Sequence, residues 1–300
     1  MENGLADIDG VAELRELPEL PHELWDQIAH CLPMDQQTAL TEVDTAFHEW
    51  YLGGVRVRTQ AGLDEALGAG DVRLIVVDGA GLTVSAAPAS GAPIVARADV
   101  VALAGHVFVC DDVHVVASGL ARVHAEGRAR VTAHDRATVF AHDQVQVVAD
   151  AWARIRAFDL AQVTASADAW VRAEGRSQVT LHDRAHANAF HQAQVTAHDQ
   201  AGVNATEGAQ VAATGSARVR ARRHARVCAD DHAWIAAVES ATVTGAGDSV
   251  RVWAARTVTV DAVPSTVLRA GADCADSEWD HLDSLWHEGQ ESWFTGCEVM

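Results

Sequence analysis

Ala193-Gln194-Val195-Thr196-Ala197-His198-Asp199-Gln200 is one of eighteen consecutive octapeptides that fill residues 105–248 without a break in register. Numbered 1 to 8 within each unit, positions 1 and 5 are mostly Ala. Position 3 is Val or Ile nearly throughout, and Ala187 alone breaks that column. Position 7 is usually Asp or Gly, while positions 2, 4 and 6 carry varied and mostly polar residues. Three small or branched side chains at period two, followed by a residue that tolerates a corner, describe a short strand and a turn. Units of this kind bury their apolar side only by stacking, so the pattern predicts a solenoid.

Comparing outward positions sets the number of octads per turn. At spacing 16, position 2 reads Gln146, Gln162, Gln178, Gln194 and Gln210, and position 4 holds Thr132, Thr164, Thr180 and Thr196, interrupted by Val148. At spacing 24 no such column appears. Stacked amides can hydrogen-bond along a ladder, so two octads per turn is the expected coil: a mainly β, parallel two-sheet β-solenoid (β-helix) with 16-residue turns. Nine such turns at about 4.8 Å make a rod on the order of 43 Å. With Ala and Val inside, the two sheets are expected closer together than the usual separation of about 10 Å. In period, though not in motif, this stretch resembles the 16-residue solenoid of bacterial ice-nucleation proteins.

The two expected faces differ. Octads starting at 113, 129 and 145 present Gln, Thr, His and Ser. Octads starting at 105, 121 and 137 lead into a face that carries Phe108, Phe140, Arg154, Arg156, Phe158, Trp170, Arg172, Glu174, His186, Asn188 and Phe190, then Arg218, Arg220, Arg222 and Trp234. Aromatics and Arg are the residues on which binding energy concentrates. Phe140, Arg154, Arg156, Phe158, Trp170, Arg172, His186 and Phe190 are therefore the candidate partner-binding residues.

Outside the repeat, residues 1–19 are acidic, and residues 20–52 read LPHELWDQIAHCLPMDQQTALTEVDTAFHEWYL. Leu24, Ile28 and Leu32 share one helical stripe, Pro33 stops it, and Asp35 suits the N-cap of a second helix with Leu40, Val43, Phe47 and Trp50. Leu20-Pro21, Glu23-Leu24, Ile28, Leu32-Pro33, Asp35, Leu40, Val43, Phe47 and Trp50 resemble an F-box, with Gln36 where that family has an apolar residue. The resemblance implies a docking module for a ubiquitin-ligase scaffold, with Leu24, Ile28, Leu32, Val43 and Phe47 as docking residues. The alternative is a helical cap over the first coil. Residues 53–104 read as irregular first coils, with a short helix at 61–70 and a strand at 72–77. After 248 the register slips by one, so that Val250, Val252 and Ala254 take the inward role. Pro264 is expected to close the regular solenoid at 263. In 264–300, Trp279, Trp286 and Trp293 recur every seven residues in an acidic segment, which reads as a cap helix.

Composition bounds the function. Net charge is −20, but residues 1–50 carry twelve acids and one Arg and residues 271–300 carry eight acids and no base, so the body between is near neutral. DNA mimicry and nucleic-acid binding are disfavoured on that balance. All 22 basic residues are Arg, a bias that GC-rich coding or avoidance of lysine modification would each produce. Five scattered cysteines with no CxxC spacing disfavour a disulfide framework or structural zinc. There is no apolar leader or span, and the expected setting is the reducing cytoplasm. His-Asp pairs at 134–135, 142–143, 182–183 and 198–199 fall at positions 6 and 7, which makes them turn chemistry before metal chemistry. Cys228 and His232 show no triad arrangement, and hydrolase, P-loop and metalloprotease signatures are absent. The expectation is a non-catalytic scaffold or adaptor without cofactor or metal, with a protein partner and no membrane. Assembly of copies through faces or ends, including an ice-binding-like surface, is the alternative, and a solenoid enzyme ranks third.

Overall fold

A computed structural model describes residues 55–269 except 73, 246–248, 255–256 and 262–265. The F-box-like segment, residues 20–52, and the Trp-rich segment from residue 276 onward lie outside the described residues.

The described residues form a right-through parallel coil of two sheets. Strands alternate between a fourteen-stranded and a twelve-stranded sheet, two per turn, so that about thirteen turns are stacked. From His106 to Ala229 each strand residue pairs with its counterpart sixteen positions on, as in Gln178↔Gln194 and Arg154↔Trp170. Before this stretch the spacing is uneven: Val55 faces Ile75, Ile75 faces Ile94, and Ile94 faces Val107. After it, Trp234↔Arg251 and Thr242↔Thr259 carry the expected one-residue slip. The coil also runs past Pro264, because Thr266–Arg269 adds a further strand to the larger sheet.

Each regular turn sends six side chains inward, from positions 1, 3 and 5 of two octads. Ala153, Ile155, Ala157, Ala161, Val163 and Ala165 of one turn are all buried. The branched residue of each strand supplies most of the apolar burial, about 1.5–3 kcal/mol per side chain, and Ala keeps the sheets close. Two of the exceptions to Ala share one octad. Leu181 takes an Ala position and is fully buried, and Ser177 takes another, its Oγ enclosed without a hydrogen-bond partner.

Position 7 makes the corner. Residues such as Asp135, Asp143, Asp183 and Asp199 have φ of 55–56°, in the left-handed region, as do Gly127 and Gly175. The Asp carboxylates there have a second use. Asp135 accepts the Gly119 N–H, Asp143 the Gly127 N–H, Asp183 the Ala167 N–H and Asp199 the Asp183 N–H, each from one turn earlier, at 3.1–3.3 Å. A backbone donor that the corner removes from the ladder is thereby satisfied.

The first strand of the twelve-stranded sheet, Leu82–Val84, would be an open edge. The helix Gln60–Gly68 covers it, capped by Thr59, whose hydroxyl accepts the Gly62 N–H. Gln60 takes the place of a neighbouring strand: its Oε1 accepts the Thr83 N–H at 2.8 Å and its Nε2 donates to the Thr83 carbonyl at 2.9 Å. One side-chain amide thus blunts part of an edge that would otherwise template strand addition. No helix among the described residues is long and apolar enough to cross a membrane.

Two substitutions check the core. Val195→Asp places a charge in a layer without partners and is expected to abolish the cooperative unfolding transition. Ser177→Ala removes a hydroxyl without an acceptor from a column in which Ala161 and Ala193 are already Ala. It is expected to raise stability by about 1 kcal/mol in chemical denaturation.

Candidate functional site

Register brings the candidate residues onto the fourteen-stranded sheet. Its outward positions form two columns parallel to the solenoid axis, and a third runs along the corner that follows. Arg154, Trp170 and His186 succeed one another at position 2, and Phe140, Arg156, Arg172 and Asn188 at position 4. Phe158 and Phe190 belong to the corner column, in which Phe158 pairs with His142 and Phe190 lies beneath the Arg172 guanidinium.

Side chains within a column interact because their strands are one hydrogen-bonded spacing apart. The rings of Phe108 and His124 stack at 4.8 Å between centroids, and those of His124 and Phe140 at 4.5 Å with planes 6° apart. The Arg156 guanidinium continues the pile at 5.4 Å from the Phe140 ring. His142 and Phe158 stack at 4.5 Å, Arg172 lies 4.9 Å from the Phe190 ring, and Arg251 lies 4.6 Å from that of Trp234. Aromatic pairs of this kind contribute about 0.5–1.5 kcal/mol beyond their area, and exposed cation–π pairs about 0.5–1 kcal/mol. Arg172 is also held by Glu174. Farther along, Asn204 donates to Asn188 at 2.9 Å. Gly202 stands beside His186 because a Cβ there would come within 2.3 Å of His186 Nδ1.

His124 and His142 are members of this array that reading single strands missed. The spacing-16 comparison that found the glutamines would have placed His124 between Phe108 and Phe140. Arg122 and Arg251 were missed for the same reason, the latter also because it lies beyond the register slip.

The twelve-stranded sheet is polar and quieter. The glutamine column is in register from Gln146 to Gln210, and all five side chains are exposed. The expected amide ladder is not formed, since no hydrogen bond joins one Gln side chain to the next among the described residues. Water satisfies exposed amides as well as a neighbour does, so register alone does not impose the bond. Thr164, Thr180 and Thr196 are aligned beside them. Where Ala212 replaces Thr, a shallow depression of about 340 Å³ opens, lined by Gln194, Gln210, Arg226 and the exposed Cys228 among others.

The His-Asp pairs behave as corner chemistry. Asp135, Asp143, Asp183 and Asp199 serve backbone N–H groups, and His134 Nδ1 lies 2.9 Å from Asp150 rather than on Asp135. The rings of His182 and His198 stack at 5.0 Å with planes 12° apart, so their nitrogens do not converge, and His198 Nδ1 is 2.8 Å from the Thr214 hydroxyl. No group of three or more potential metal ligands occurs among the described residues. Burial, reinforced by Asp111 and Glu126 and opposed by Arg97, pushes the Cys110 thiol above its usual range, which makes it a poor nucleophile.

Burial between two phenyl rings lowers the His124 pKa, and His106, His142 and Arg122 lower it further. A base whose folded pKa is depressed takes its proton more readily in the unfolded chain. The stability gained by keeping His124 neutral is thus complete above its ordinary value of 6.5 and is lost as pH falls below it, towards the lower folded value. His124→Phe is expected to continue the stack and to shrink the loss of stability between about pH 7 and about pH 5, measured by denaturant titration. Neither a protein-family model, a curated protein nor a solved structure matches this chain.

Proposed function

We propose that the protein is a non-catalytic scaffold or adaptor that holds a macromolecular partner on the outer surface of its fourteen-stranded sheet. One observation carries this reading: the sorting of recognition residues between two sheets of the same repeat, compared over ten strands of each. Ten successive strands of the larger sheet, His106–Val109 to Arg251–Ala254, have twenty outward positions, two per strand, of which seven are Arg, Arg220 among them buried, and five are Phe or Trp. The ten matching strands of the other sheet, His114–Ala117 to Thr259–Asp261, present two Arg and no Phe or Trp in twenty. The same fold, core and corner chemistry apply to both surfaces, so folding alone does not account for the difference. Aromatic and Arg side chains gathered on one surface are what a recognition face requires.

The F-box-like segment completes the proposal as the second attachment point, with Leu24, Ile28, Leu32, Val43 and Phe47 docking another protein. The setting proposed is the cytoplasm. Self-assembly through faces or ends would give a high-order species, whereas an adaptor is expected to run as a monodisperse monomer in size-exclusion chromatography with light scattering. Partner capture from the native host by the full chain is the direct test. Changing Arg154, Arg156 and Trp170 together to Ala is expected to abolish capture while leaving the circular dichroism spectrum unchanged, and undiminished capture would remove this face from consideration.

A further inference from the structure

Charge on the solenoid is sorted by position in the repeat. The left-handed corners hold seven Asp (111, 135, 143, 159, 183, 199 and 231) and two Glu (207 and 239) against one Arg (223). Of the twenty outward positions on the ten strands of the larger sheet, seven are Arg, Arg220 among them buried, three are His, and none is Asp or Glu. The corresponding twenty on the smaller sheet include two Arg and one acid, Asp261. A chain of net charge −20 therefore presents one flat strip without carboxylates, about 43 Å long at the usual strand spacing.

The strip has a shape that selects among anions. It is two side chains wide, about 6.6 Å between positions 2 and 4, and acidic corners border it on both sides. A broad polyanion such as duplex nucleic acid would bring its phosphates over those corners, whereas one extended chain laid along the axis would not. The ring faces select further. His124 is covered by Phe108 and Phe140, Phe140 by Arg156, and Trp234 by Arg251. Nucleobases stack on open aromatic faces, and in this pile both faces of His124 and of Phe140 are taken. The Phe–His pile turns its ring edges outward, and the edge is the electropositive part of an aromatic ring. A guanidinium stacked on a ring keeps its in-plane N–H donors for a carboxylate. Arg122, Arg154, Arg156 and Arg251 are all exposed on this strip.

We propose that the fourteen-stranded sheet binds an extended acidic peptide segment running along the solenoid axis, its carboxylates held by the guanidiniums of Arg154, Arg156 and their neighbours. This rests on the reading of that sheet as the partner face and adds the chemical class of the partner. Fluorescence anisotropy of the full chain with a fluorescein-labelled poly-glutamate peptide tests it, with a labelled single-stranded oligothymidine and an oligogalacturonate run in parallel. Poly-glutamate is expected to bind, and to bind more weakly as salt shortens the range of the Arg field. The double variant Arg154→Gln/Arg156→Gln is expected to lose at least about tenfold in affinity, since each guanidinium gives up a charge-assisted pair. Arg154→Lys/Arg156→Lys should recover part of it, and Arg130→Gln/Arg226→Gln on the opposite sheet should change nothing. No binding of poly-glutamate at low salt, equal losses from the opposite-sheet variant, or preferential binding of the oligothymidine or the uronate would overturn the proposal. If poly-glutamate fails while changing Arg154, Arg156 and Trp170 still abolishes capture of the host partner, only the acidic-peptide assignment falls. If both fail, the face itself is wrong.

Discussion

A left-handed residue at every eighth position is the constraint on which the coil depends. Because each strand is followed by the same bend, two octads close one turn and residue i lands on residue i+16. The six inward positions, the outward columns and the hydrogen-bonded ladder all follow from that superposition. A left-handed conformation costs a residue with a Cβ about 1–2 kcal/mol, and Gly or Asp is the usual solution. Yet Ala151, Ala167, His191, Arg223 and the two Glu at 207 and 239 also occupy such corners. At Ala167 the compensation comes from elsewhere: Asp183, one turn on, accepts its N–H. The corner is thus stabilised as a column rather than residue by residue, which is why single departures from Asp and Gly do not break the repeat.

The same column explains how charge came to be divided. Carboxylates gather at the corners because they serve backbone donors there, as Asp143 serves Gly127 and Asp231 serves Gly215. Strand positions carry no such demand, so many of the arginines lie on the sheets, while others pair with acids at the corners, as Arg128 does with Asp112 and Arg184 with Asp168. Summed over residues 51–270 the two nearly cancel, and the balance used to argue against anionic partners conceals a surface with no acid on it. Net charge describes a domain well only when its signs are mixed at random, and a repeat does not mix them.

The architecture was legible because its signals are periodic. The Val and Ile column, the Asp and Gly corner and the spacing of Gln146 to Gln210 each repeat many times, and the pairing Gln178↔Gln194 is the register they imply. Features without repetition were harder to read. The helix was expected from Ala61 to Gly70 and is present as Gln60–Gly68, but nothing local indicates that Gln60 will pair with Thr83, twenty-three residues away. The expected amide ladder failed because exposure decides whether stacked amides bond, and exposure is not a property of spacing. His124 was passed over for a different reason: within its own strand, Arg122-Val123-His124-Ala125, it is an ordinary polar residue, and only its neighbours at 108 and 140 make it part of a stack.

Stacking also changes what an aromatic residue offers to a partner. In a typical interface a Trp or Phe contributes a broad apolar face to a pocket. Here Phe140 spends both faces within the array, against His124 and Arg156, so the ring lends cohesion along the column instead of area across an interface. What remains outward is a row of edges and guanidinium forks at the fixed spacing of the strands. Such a surface discriminates by charge and by the direction in which charges are repeated, more than by shape. That direction is set by the left-handed corner, the feature that also builds the core, so any slip in register would disperse the array and the fold's apolar layer together.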